Sequence, residues 1–77
     1  MKLEIISPSE IMFSGEVDSV TLPGVAGKFT VLKNHASLIS VLKPGEVKYS
    51  NGGLDTRIDI KGGIADIDMN KISVCVY

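Results

Sequence analysis

The sequence predicts an all-β fold: a flattened β-sandwich or barrel of short antiparallel strands with no long helix. Three observations carry this. Apolar and polar residues alternate with period two along much of the chain. Turn-forming clusters punctuate it: Ser7-Pro8-Ser9, Pro23-Gly24, Pro44-Gly45, Asn51-Gly52-Gly53 and Gly62-Gly63. Nowhere do apolar residues recur at i, i+3, i+4 and i+7 for three turns.

Taken in order, Leu3 and Ile5 begin the first strand. Ser7-Pro8-Ser9-Glu10 has the spacing of a helix capping box, but Gly15 would end any helix soon after. Val17 belongs to one strand face, whereas Val20 and Leu22 belong to the other. This phase slip predicts a kink or β-bulge near Asp18-Ser19, where the strand turns a corner between two sheets. Phe29 and Val31 flank Thr30 in a short strand. Asn34-His35-Ala36-Ser37 has room for a single turn. Val47 and Tyr49 flank Lys48 in another strand.

The clearest alternation runs from Leu54 to Lys61. Leu54, Thr56, Ile58 and Ile60 share one face, and Asp55, Arg57, Asp59 and Lys61 the other, as in a half-buried antiparallel strand. Met69-Asn70-Lys71 predicts a tight hairpin connection, since Asn tolerates positive φ. The last strand alternates Ile72, Val74 and Val76 with Ser73, Cys75 and Tyr77.

The 77 residues form one domain, 1–77, small enough to bury only about 60 to 65% of its unfolded surface. Hydrophobic residues at 44% and charged residues at 22% place it among globular proteins. The net charge is −1, and no Lys/Arg block supplies the basic stripe that nucleic acid requires. Met1-Lys2-Leu3-Glu4-Ile5 reads as neither a signal peptide nor a membrane span. One cysteine, Cys75, excludes an intrachain disulfide and fits a reducing compartment.

Gly24-Val25-Ala26-Gly27-Lys28 invites comparison with a phosphate loop. Such a loop needs four residues between its glycines, Ser or Thr after the lysine, and a following helix. Here two residues separate the glycines, Phe29 follows the lysine, and the next residues are β-type. A flexible loop joining two strands is the simpler expectation. Asp66-Ile67-Asp68-Met69-Asn70 begins like a calcium loop, but Lys71 stands where Gly should and no helices flank it. Those side chains are expected to be solvated. His35 is the sole histidine, too few for zinc, and no nucleophile elbow is present. Neither cofactor, metal nor active site is expected.

The ordered segments say more than any single motif. Phe13-Ser14-Gly15-Glu16-Val17-Asp18-Ser19-Val20 comes first, then Leu22-Pro23-Gly24 and Gly27-Lys28-Phe29-Thr30-Val31-Leu32. Asn34-His35-Ala36-Ser37-Leu38 and Leu42-Lys43-Pro44-Gly45-Glu46-Val47 follow. Together with Gly62-Gly63-Ile64-Ala65-Asp66-Ile67, they resemble the epsilon subunits of rotary F-type ATP synthases over essentially the whole chain. The resemblance implies a flattened β-sandwich and a non-catalytic role in the central rotor, fixing the gamma subunit to the ring of membrane c-subunits. Gly24, Val25, Ala26, Gly27 and Lys28 match the family's loop facing the c-ring. Met12, Phe13, His35, Ala36, Ser37, Leu38 and Ser40 match the surface meeting gamma.

The implied location is peripheral, on the cytoplasmic face of an energy-transducing inner membrane, without membrane insertion. An isolated domain with its gamma face uncovered is expected to self-associate. Three departures from the family pattern stand out. Lys28 replaces a common acidic residue, Lys33-Asn34 a Pro-Gly, and Ser37 a proline. Many family members continue into a pair of C-terminal helices that inhibits ATP hydrolysis. The sequence stops at Tyr77, so that regulation is not expected of this chain. Two other readings compete: a lipoyl-type carrier modified at Lys71, and a phosphate-handling enzyme using Gly27-Lys28.

Overall fold

The computed structural model describes all residues, Met1–Tyr77. Nine strands follow one another: β1 (Lys2–Ile6), β2 (Ile11–Glu16), β3 (Ser19–Gly24), β4 (Gly27–Leu32), β5 (Leu38–Leu42), β6 (Gly45–Asn51), β7 (Leu54–Ile60), β8 (Gly63–Asp68) and β9 (Lys71–Val76). They join in the order β2-β1-β9-β8-β5-β3-β6-β7, with β4 beside β3. The β5–β3 link is a single pair, Gly24 opposite Leu42. The sheet therefore bends there into two layers, β2-β1-β9-β8-β5 and β4-β3-β6-β7.

Period-two alternation fills the space between the layers. The first layer contributes Leu3, Ile5, Leu42, Ala65, Ile67, Ile72, Val74 and Val76. The second contributes Val20, Leu22, Val31, Val47, Tyr49 and Ile60. No polar or charged side chain is buried. Hydrophobic burial therefore specifies the register: a one-residue slip of any inner strand would turn its apolar set to water.

The chain changes layer at Val17-Asp18, as the phase slip predicts, because β2 and β3 lie in different layers. Asp18 pins that corner: its N–H donates to the Ser50 carbonyl at 2.7 Å, and its carboxylate accepts the Gly52 N–H at 2.9 Å. The register shift itself lies one hairpin earlier. Ile5 pairs with Phe13 and Ile6 with Ile11, leaving Met12 as the extra residue of a bulge.

Three expectations need correction. The strands are not all antiparallel, since β1 and β9 run parallel. The face of β7 is only partly buried: Ile60 is buried and Ile58 half-buried, but Leu54 is 78% exposed. The strand is an edge that runs out past the second layer. The segment 24–28 is no flexible loop but a two-residue hairpin turn, with Gly24 paired to Gly27. The turn at Met69-Asn70 matches expectation, with φ of 47° and 61°.

Candidate interaction surfaces

The β3–β4 hairpin is held rigidly. Val25 N–H donates to the Val41 carbonyl and Lys43 N–H to the Pro23 carbonyl, each at 2.9 Å. A Cβ on Gly24 would stand 2.8 Å from the Gly27 carbonyl oxygen and 3.0 Å from the Phe29 ring. Glycine is required there by close approach, and Gly27 by its φ of 136°. The turn thus presents Val25, Ala26, Gly27 and Lys28 to solvent on a fixed support.

The segment His35-Ala36-Ser37 leads into β5 and is tied to the β8–β9 hairpin. Ser37 donates its hydroxyl hydrogen to Asp68 at 2.8 Å, and Asn34 N–H donates to the Asn70 side-chain oxygen at 2.7 Å. The turn falls two residues earlier than expected, over Leu32–His35, with His35 N–H on the Leu32 carbonyl and Asn34 at φ 65°. These contacts fix the segment where the family's proline is missing. His35 Nδ1 lies 2.7 Å from the Ala36 carbonyl, so the imidazole is engaged locally.

β5 pairs with β8 along its whole length but with β3 only at Leu42. Its other edge is open from Leu38 to Ser40, while Ile39 and Val41 are exposed on the outer face of the strand and Leu38 at its start. Met12 and Phe13 lie elsewhere. β2 forms the opposite edge of the same layer, with β1, β9 and β8 between it and β5. Four interstrand spacings separate them, roughly 19 Å. The Phe13 ring is partly buried and stacks on Tyr49 with centroids 4.2 Å apart. The two groups of residues expected to meet gamma are therefore not neighbours.

A feature not apparent from the sequence connects them. On the outer face of the first layer, Val41 lies opposite Ile64, Ile64 opposite Cys75, Cys75 opposite Ile6, and Ile6 opposite Ile11. One apolar row thus crosses all five strands, and every member is exposed. Ile39 extends it along β5. The sequence signal was the apolar residue in an outward position of each strand, but only the register shows that these positions align.

Nothing on either surface assembles chemistry. No three His, Cys, Asp or Glu side chains converge to hold a metal. Asp66 and Asp68 are exposed, as expected of solvated side chains. Lys71 sits just after the hairpin turn and reaches back to Glu4 at 3.8 Å. No helix is long and apolar enough to cross a membrane.

The family model described as "ATP synthase, Delta/Epsilon chain, beta-sandwich domain" matches residues 1–77. The ATP synthase epsilon chain of Rhodopseudomonas palustris (strain BisA53) is 41% identical over 71 residues, covering 92% of this chain and 53% of that relative. The epsilon chain of Nitrobacter winogradskyi is 38% identical over the same coverage. The chain thus spans about half the length of the curated relatives it matches. Among solved structures, a chain of the Euglena gracilis mitochondrial ATP synthase (OSCP/F1/c-ring) superposes with a TM-score of 0.91 at 23% identity, over 96% of this chain and 48% of that one. One from the Tetrahymena thermophila mitochondrial ATP synthase central stalk and c-ring gives 0.84 at 13% identity, over 97% and 61%. At these identities the structural likeness establishes the fold.

Proposed function

The chain belongs to the ATP synthase delta/epsilon family through its β-sandwich domain, and from that premise we propose that it is a non-catalytic subunit of the enzyme's central stalk. It joins the gamma subunit to the ring of c-subunits, so that ion-driven rotation of the ring reaches the catalytic head. Its place is peripheral, on the cytoplasmic face of the membrane that holds the ring.

The observation that carries this reading is the apolar row on the first layer together with the open edge of β5. A sandwich whose core is already closed gains nothing in folding from Ile39, Val41, Ile64, Ile6 and Ile11 facing water. A permanent partner would bury them at about 25 cal/mol per Å². Gamma takes this face, with His35, Ala36, Ser37, Leu38 and Ser40 at one end and Met12 at the other. Phe13, beside Met12 in β2, is partly buried and stacks on Tyr49, so it offers gamma only the part of its ring left exposed. Binding also adds to the stability of a small domain by mass action.

The β3–β4 hairpin faces the c-ring. Rotation must pass torque through it, and a turn anchored by Val25 and Lys43 to the body of the domain serves that better than a mobile loop. Lys28 gives it a positive charge, so it favours c-subunit loops that present a carboxylate. Paired cysteine crosslinking tests both contacts. In a Cys75→Ser background, Lys28→Cys should form an adduct with a c-subunit and Ser37→Cys one with gamma. Both cysteines failing to capture any subunit of the native enzyme would overturn the assignment.

A further inference from the structure

The outer face of the second layer holds a cleft of about 540 Å³. Its floor is one cross-strand row: Thr30 of β4 lies opposite Thr21 of β3, Thr21 opposite Lys48 of β6, and Lys48 opposite Arg57 of β7. With strands about 4.8 Å apart, the row spans roughly 14 Å. Lys28 and Lys43 border it near Pro23. Apart from proline rings, no apolar side chain lines it.

Charge is concentrated here. Four of the eight Lys and Arg residues line the cleft, against one of the nine Asp and Glu. Four positive charges and one negative leave it at +3 within a chain of net charge −1. The one carboxylate, Glu46, is held by Arg57 Nε at 3.2 Å, which leaves the terminal guanidinium nitrogens uncommitted. None of the chain's three ion pairs uses Lys28, Lys43 or Lys48. Lys48 and Arg57 are like charges directly opposite each other, an arrangement that destabilises a sheet unless an anion neutralises it.

The threonines add a directed donor. Their hydroxyl oxygens lie 2.9 Å apart, so one hydrogen joins them. The accepting hydroxyl keeps its own hydrogen for an outside acceptor. Cations without carboxylate partners, a guanidinium fork and a spare hydroxyl together match a phosphate group. No aromatic ring is present to stack a base, so recognition is of the oxyanion itself.

We propose that this cleft binds a phosphate-bearing anion, held by Lys28, Lys48 and Arg57, with a threonine hydroxyl donating to a phosphate oxygen. Side chains form this site; the glycines of the β3–β4 hairpin take no part in it. Two linked phosphates suit the row better than one, because they reach cations on β4 and on β6 and β7 together. The inference does not depend on the rotor reading, although Lys28 belongs to both surfaces.

The test titrates the isotope-labelled 77-residue chain with sodium pyrophosphate at constant ionic strength, following backbone amide shifts. Shifts should cluster at Thr21, Lys28, Thr30, Lys48 and Arg57, with orthophosphate about tenfold weaker for one fewer charge contact. Lys48→Gln and Lys28→Gln should each weaken pyrophosphate at least about fivefold, whereas Lys33→Gln, an equal charge change outside the cleft, should leave it within about twofold. Sedimentation with phosphatidylglycerol vesicles distinguishes the sources. Vesicle binding that needs Lys48 without a pyrophosphate response assigns the phosphate to a lipid headgroup; a pyrophosphate response assigns it to a soluble ligand. Shifts scattered over every lysine, equal losses in Lys33→Gln and Lys48→Gln, or no response to either probe would overturn the proposal.

Discussion

Gly63 sits where β8 begins, paired on one side with Leu42 and on the other with Val76. A Cβ built there would lie 2.1 Å from the Cys75 carbonyl oxygen and 3.0 Å from Val76 Cα. A tolerable carbon–oxygen approach is about 3.3 Å, so Gly63→Ala forces β8 and β9 apart by roughly 1 Å. The obstacle is backbone, which cannot swing aside as a side chain can. Overpacking costs about 1–3 kcal/mol, and this case belongs at the top of that range, about 3 kcal/mol. A domain of 77 residues is stable by roughly 4–12 kcal/mol. At about 5 °C per kcal/mol for this size, the melting temperature should fall by about 15 °C. Gly53→Ala is the control: φ is +83° and nothing lies within 4 Å. Only backbone strain then counts, about 1–2 kcal/mol, or about 5–10 °C. Circular dichroism melts of both variants decide the matter. Gly63→Ala melting no lower than Gly53→Ala would refute the tight β8–β9 approach.

Other expectations are sharp enough to check. Leu22→Ala, fully buried on the inner face of β3, should cost about 2–5 kcal/mol in urea denaturation, whereas Lys28→Ala should change stability by less than about 0.5 kcal/mol. Ile39→Asp should leave the urea midpoint nearly unchanged, because the side chain is 71% exposed, yet weaken gamma binding at least about tenfold in a surface-based assay. The same substitution should abolish any concentration-dependent self-association of the free chain seen by analytical ultracentrifugation. Lys28→Glu should alter the association rate with the c-ring and its salt dependence more than the dissociation rate, as measured by stopped-flow mixing.

The fold was legible because its signals are local. Alternation placed Ile72, Val74 and Val76 inside, and Asn70 marked its hairpin through its tolerance of positive φ. The parallel pairing of β1 with β9 was not legible, since it joins residues about seventy positions apart and leaves no trace in either strand. Leu54 misled for a related reason: alternation reports which face a residue takes, not whether a neighbouring layer covers that face. The candidate surfaces divide in the same way. The β3–β4 hairpin was readable as a contiguous segment, although its rigidity comes from bonds to Val41 on β5 and to Lys43 just beyond it. The apolar row needs the register of five strands, and the basic cleft gathers Lys28, Lys48 and Arg57 from three. No window of sequence holds either one.

Affinity capture of the tagged chain from a detergent extract of its native membranes tests the central claim most directly. The account predicts recovery of gamma together with the alpha and beta subunits, with mass spectrometry identifying each, and loss of all three from the Ile39→Asp/Val41→Asp variant. Recovery of the folded chain without gamma would contradict the rotor assignment and leave the β-sandwich without that partner.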